Sequence, residues 1–346
     1  VKEDRMKVYK AALILFLMVV IGCGGSTYLR SAKVYYEKNK DYPKAEEFAR
    51  KAVAEEPNNW EAYVYLGQSL AQQEKFSEAA KAFKKGREVA PEAKKQLVYD
   101  IQRSFFVVNY NKGITANSTM NYAEATEFFE KAVAMDPDDP KGYVNLGVAY
   151  SMMGKSDKAL EAFRGGVEAD STSVDAWRNL GITYQSAGDF EAAGRAFIRV
   201  VELAPDDSDG LFSLGDMYFN QRDFEKSLEY YVRAAETRSD DAALQYQIGA
   251  AHFSLENYAE AGQGFQRAAA LARDKDPELY KDAMFNLGVA YIQMENFDAA
   301  ISTLESVLQI EETAELREML GAAYSKKGMK DRAIQEFEKA RELSGE

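Results

Sequence analysis

The sequence predicts an all-α fold in which about nine helix-turn-helix units stack into a solenoid, and three observations predict it. Small residues recur every 34 positions: Gly67, Gly113, Gly147, Gly181, Gly215, Gly249, Gly288 and Gly321 stand eighth in successive units. Ala45, Ala79, Ala125, Ala159, Ala193, Ala261, Ala300 and Ala333 stand twentieth, where only Ser227 departs. Large residues keep the same period, with Tyr36, Tyr150, Tyr184, Tyr218, Tyr291 and Tyr324 eleventh and Phe83, Phe129, Phe163, Phe197, Phe265 and Phe337 twenty-fourth. The composition agrees: 346 residues exceed what one core sustains, 46% are hydrophobic, and only seven are proline.

A periodic small residue is a packing device, placed where the two helices of a unit cross and a larger side chain would push the backbones apart. The eleventh and twenty-fourth aromatics are expected to fill the space between the first helix of one unit and the second helix of its neighbour. Pro57, Pro91, Pro137 and Pro205 close units, since proline cannot continue a helix.

In residues 174–207, Trp177, Leu180, Gly181, Tyr184, Gly188, Ala193, Phe197 and Pro205 stand in one 34-residue frame. This pattern resembles the tetratricopeptide repeat, and the resemblance runs through nearly all of the chain from Ser26 on. It implies a right-handed superhelix whose first helices line a concave groove for a peptide or helix of a partner. The units are 26–59, 60–93, 106–139, 140–173, 174–207, 208–241, 242–275, 281–313 and 314–346.

Ahead of the array, Lys7 and Lys10 precede an uncharged apolar run from Ala11 to Ile21. As helix it would be about 16 Å long against roughly 30 Å of bilayer hydrocarbon, too short to span. Val20-Ile21-Gly22-Cys23 follows and resembles the lipobox of bacterial lipoproteins, and Cys23 is the chain's only cysteine. The resemblance implies that residues 1–22 are a signal peptide with Met6 as the natural start. Cys23 would become the acylated N-terminus, and residues 23–25 a short tether. Several acyl chains on one residue anchor stably where one would not. Gly24, rather than Asp, follows the cysteine; this resembles the outer-membrane default, so the expected place is the cell envelope, facing the periplasm, the outer membrane favoured over the inner. Two alternatives stay open: an ordinary secretory signal, and an uncleaved start on a cytoplasmic or inner-membrane scaffold, the cysteine being incidental in both.

Two interruptions break the period. In residues 94–105, Leu97, Ile101, Phe105 and then Val108 follow helical spacing, so this segment should lengthen the first helix of the third unit. Residues 276–280 should lengthen a connection. In the last helix Ile334 and Phe337 alternate with Arg332, Glu336, Glu338, Lys339, Arg341 and Glu342, which predicts a solvated outer surface capping the stack.

The resemblance places the sixth residue of each first helix in the groove, and units three to eight read Asn111, Asn145, Asn179, Ser213, Gln247 and Asn286. An amide both donates and accepts, so such a row could clamp a peptide backbone; it looks like the asparagine ladder of peptide-gripping members of the family. Asn is also common there across the family, and that reading stays open. The fifth residue, Tyr110, Val144, Arg178, Phe212, Tyr246 and Phe285, would form an apolar and aromatic floor or complete the packing between first helices. Asp175, Asp209, Asp282 and Asp216 would favour a basic or neutral segment.

Other chemistry is scarce. A formal charge of -13 argues against nucleic acid, which needs a cationic face. His252 is the only histidine, which excludes histidine triads and multi-histidine metal centres; at the eleventh position it should be a packed imidazole. Asp138-Asp139, Asp206-Asp207 and Asp240-Asp241 fall between units, where Asp starts helices. No phosphate-binding glycine loop stands out. The sequence therefore predicts no enzyme, no cofactor, no metal and no small-molecule substrate. It predicts a scaffold for one or more envelope proteins, held to a membrane by its lipid; an enzyme built on carboxylates is the remote alternative.

Overall fold

The computed structural model describes residues 26–345, so the apolar start and Cys23 lie outside the described residues. Eighteen helices and no strand are found among them. None is long and apolar enough to cross a membrane. The described chain falls into two compact bodies, divided at Ala187 and Gly188.

In the first body the helices are α1 (Thr27–Val34, continued by a π-helical turn Tyr35–Asn39), α2 (Tyr42–Glu55), α3 (Trp60–Gln72), α4 (Phe76–Val89) and α5 (Glu92–Ser118). They continue as α6 (Tyr122–Met135), α7 (Pro140–Met152), α8 (Ser156–Ala169) and α9 (Val174–Ser186). The second body holds α10 (Phe190–Leu203), α11 (Ser208–Asn220), α12 (Phe224–Ala235), α13 (Ala242–Ser254) and α14 (Tyr258–Ala272). It ends with α15 (Pro277–Gln293), α16 (Phe297–Leu308), α17 (Ala314–Lys326) and α18 (Lys330–Ser344). First and second helices alternate throughout.

Side-chain caps begin most of these helices. Asp139, Asp207 and Asp241 each accept a backbone N–H from the first turn, so the acidic dipeptides are helix starts as expected. The turn inside every unit holds one residue in the left-handed region, always the fifteenth. It is glycine at Gly154, Gly188 and Gly328, but Lys40, Glu74, Met120, Arg222, Glu256 and Glu295 elsewhere.

The eighth-position glycines meet the twenty-fourth residue of their own unit. A Cβ on Gly147 would lie 2.5 Å from the Phe163 ring, on Gly113 2.6 Å from Phe129, and, in the second body, on Gly249 2.9 Å from Phe265. This corrects the sequence expectation: the twenty-fourth aromatic lies across the first helix of its own unit, and the glycine makes room for the ring. The eleventh tyrosine is the one that reaches the neighbour. The Tyr150 hydroxyl donates to Glu130, Arg164 donates to the Tyr184 hydroxyl at 2.8 Å, and in the second body the Tyr324 hydroxyl donates to Glu305 at 2.6 Å. In each case the partner is the twenty-fifth residue of the preceding unit.

The 12-residue interruption is helical, giving α5 its 27 residues and burying Val98 and Gln102, in line with Phe106 of the third unit. The five-residue interruption is helical too, which corrects the expected longer connection. Asp276 caps Leu279 and Pro277 takes the first helical position, so α15 begins about a turn early. The last helix also differs from expectation: Glu336 turns inward to Arg317 at 2.5 Å, while Ile334 and Leu343 stand 55% and 48% exposed. Spacing alone could not tell that the buried Arg317 would draw the carboxylate in.

Candidate functional site

The predicted groove residues all lie on first helices, three of the sixth-position residues in each body. In the first body Asn111 is on α5, Asn145 on α7 and Asn179 on α9; Asn111 is exposed, the other two half-buried. In the second, Ser213 is on α11, Gln247 on α13 and Asn286 on α15, all half-buried.

The first body brings Tyr110 and Asn145 together. Asn145 Nδ2 donates to the Tyr110 hydroxyl at 3.0 Å and to the Lys141 carbonyl one turn back at 2.9 Å. A carbonyl only accepts, so the second bond identifies the nitrogen, and both amide N–H groups are used. The Tyr110 ring stacks on Phe106 at 5.4 Å and leans on Phe129 at 5.9 Å. The second body repeats the clasp: Asn286 Nδ2 donates to the Tyr246 hydroxyl at 2.9 Å and to the Asp282 carbonyl at 3.0 Å. Tyr246 leans on Phe265 at 5.4 Å. Burial raises both tyrosine pKa values, with the asparagine bond opposing. Each clasp ties a fifth residue to the sixth residue of the next unit. The sequence offered the signal, Tyr before the first amide and Asn one unit later, but not the bond.

The other rungs differ. Asn179 Nδ2 donates to the Asp175 carbonyl at 2.8 Å and Ser213 Oγ to the Asp209 carbonyl at 2.8 Å. Gln247 reaches the Asp216 carboxylate at 3.4 Å, which also accepts the Tyr231 hydroxyl at 2.6 Å. Burial holds the Asp216 carboxyl above its ordinary range, the Tyr231 bond opposing. Phe212 leans on Tyr231 at 5.7 Å and lies beneath Arg238. Val144 and Phe285 are half-buried and pack on apolar clusters of their own bodies.

The first helices of each body are less acidic than their sequence. Asp175 pairs with Arg178 at 2.7 Å and Asp209 with Arg238 at 2.8 Å. His252 is half-buried, and its Nδ1 is buried with no hydrogen-bond partner. No group of metal-ligating side chains is found among the described residues. What the first helices present is a floor of aromatic edges, paired charges and, at the two clasped rungs, amide oxygens that accept no bond from any described residue.

No curated protein matches the chain in sequence. Among solved structures, YrrB, described as a TPR protein with an unusual peptide-binding site, is similar at 24% identity with a TM-score of 0.50; the match covers 57% of this chain and 97% of that one. PilF of Pseudomonas aeruginosa is similar at 16% identity with a TM-score of 0.51, over 60% of this chain and 93% of that one. Both likenesses concern the fold. Tetratricopeptide-repeat family models match residues 37–97, 107–139, 128–161, 178–242, 240–313 and 314–346, and together with the paired helices they show that the chain belongs to the tetratricopeptide-repeat family.

Proposed function

We propose that this protein is a non-catalytic scaffold that holds an extended peptide or helix of a partner against its first helices, using Asn111, Asn145 and Asn179 in the first body and Ser213, Gln247 and Asn286 in the second. The family and the paired-helix fold support a role in protein interaction. The carrying observation is the pair of tyrosine–asparagine clasps. With both N–H groups of Asn145 and Asn286 engaged, those rungs offer acceptors only, so the partner must supply N–H donors there. Peptide N–H groups and Lys or Arg side chains both qualify, and Tyr110 in the first body, like Phe212 and Tyr246 in the second, would bury apolar side chains beside them. YrrB, whose description names peptide binding, is similar in fold alone.

The proposed setting is a bacterial cell envelope, the scaffold facing the periplasm on a lipid at Cys23 and serving one or more envelope proteins as the parts of one assembly are brought together. Its support is the Val20-Ile21-Gly22-Cys23 motif. Crosslinking in the native cell with the Asn145→Ala/Asn286→Ala protein beside the unchanged one tests the groove: partner capture should drop at least tenfold, and undiminished capture rejects the groove. Labelled fatty acid should attach to the unchanged protein and not to Cys23→Ala. Equal labelling of the two, or none, would favour the uncleaved scaffold.

A further inference from the structure

A second surface of the first body lies on the side of the second helices. The extended helix α5 carries Gln102 beneath α4 and α6, where Gln102 Nε2 donates to the Met135 carbonyl at 2.6 Å and Oε1 accepts from Arg87. Over it α4 and α6 are in direct contact. Two hollows follow their seam, of about 380 and 610 Å³, and share Ser77, Glu130 and Ala134. The larger falls within the range of ligand-binding clefts.

Its wall and its rim differ in chemistry. Ala80, Val133, Pro137 and Leu146 supply apolar wall, and Lys81, Lys84 and Arg87 supply cations, in a chain of net charge -13. Lys75, Lys85 and Lys131 nearby are each ion-paired, to Glu46, Glu88 and Glu74. Lys81 and Lys84 are exposed and form no ion pair among the described residues. Arg87 lies over the Tyr99 ring as well as bonding Gln102. Two carboxylates also line the hollow: Glu130 accepts the Tyr150 hydroxyl, and Asp138 sits in the turn after α6.

We infer that this hollow is a second peptide site, separate from the first-helix groove, for a short acidic-apolar segment of a partner. A Leu- or Phe-sized side chain would enter against Val133, Pro137 and Leu146, and flanking carboxylates would meet Lys81 and Lys84. Charge complementarity selects this occupant: the exposed cations at the rim favour carboxylates, whereas the acceptors of the first-helix rungs favour donors.

The test is selection of a random 12-residue peptide library displayed on phage, using the chain from Gly24 on, which keeps every described element. Selection should enrich sequences joining Asp or Glu to Leu or Phe. Enrichment should vanish on Lys81→Glu/Lys84→Glu and on Ala134→Tyr, which fills the hollow without changing charge, and persist on Asn145→Ala/Asn286→Ala. A synthetic peptide of the enriched sequence should bind at least tenfold more weakly to Lys81→Glu/Lys84→Glu, and more weakly at 300 than at about 50 mM salt. Thermal melts check that each variant is folded; should Ala134→Tyr fail, the charge pair alone decides. No acidic-apolar enrichment, or the same enrichment on the charge-reversed protein, overturns the inference. Loss only on the asparagine variants overturns it too, while supporting the first-helix groove.

Discussion

His252 and the eleventh-position tyrosines pose the same packing problem with different outcomes. Tyr150, Tyr184 and Tyr324 each find a polar twenty-fifth residue in the preceding unit, but the residue facing His252 in that register is Val232, 47% exposed, and Nδ1 is left without a partner. Burial lowers the imidazole pKa from its ordinary 6.5, with Glu260 opposing. The unfolded chain therefore takes up the proton first as pH falls. Stability from the neutral imidazole is present above about 6.5, is lost as pH drops through it, and levels off below the folded-state value. In urea titrations at pH 7.5 and 5.5, His252→Tyr should shrink the difference between the two; an unchanged difference would show that His252 does not govern it. Adding Val232→Glu should rebuild the bond seen at Tyr150, with a coupling of about 1 kcal/mol in a double-mutant cycle. That His252 is packed was legible from its place in the period. Its orphaned nitrogen was not, because a missing partner depends on a residue 20 positions away that looks like an ordinary surface valine.

Within a helical hairpin, two kinds of glycine do different work. Gly147 lies under the Phe163 ring, whereas Gly154 has nothing within 4 Å of its would-be Cβ and takes φ +70° in the turn. Gly147→Ala should cost about 1–3 kcal/mol through overpacking, and Gly154→Ala about 1 kcal/mol through backbone strain alone. Glu256, left-handed at the same turn position, reverses the test: Glu256→Gly should leave the protein as stable or up to about 1 kcal/mol more stable. Urea melts of the three variants check this, and a Gly154→Ala loss as large as that of Gly147→Ala would contradict the separation. The crossing glycines were readable because eight of the nine units keep them, with Lys33 of the first unit the one departure. The turn conformation was hidden, since six units hold it with Lys, Glu, Met or Arg, residues that give no local sign of it. The clasps were half-legible: Tyr110 and Asn145 were both singled out, but which N–H goes where depends on the rise between helices, which no spacing encodes.

Over the whole chain, the repeat, the helical character of the 94–105 segment and the family followed from periodicity, because a solenoid writes its contacts at one sequence separation. The ends followed less well, since an end unit lacks the neighbour that sets its pattern. The last helix is a case: Ile334 and Leu343 are exposed, and Glu336 is buried against Arg317. Ile334→Lys and Leu343→Lys should change stability by no more than about 0.5 kcal/mol. Glu336→Ala should cost roughly 1–3 kcal/mol, a charged hydrogen bond being lost from a buried arginine that Glu312 still holds at 2.6 Å. Calorimetry checks both, and a costly Ile334→Lys would mean that this face is covered in solution. The early start of α15 has a practical consequence. Its added turn leaves the Tyr246–Asn286 clasp intact although 40 residues separate the pair, against 35 for Tyr110 and Asn145. Exposed Glu278 in that turn is therefore a place where a dye could ride one helical turn from Asp282 without disturbing a rung. With Cys23 as the chain's only thiol, replacing it and introducing Glu278→Cys would give a singly labelled protein whose fluorescence reports occupancy of the second body's first-helix face.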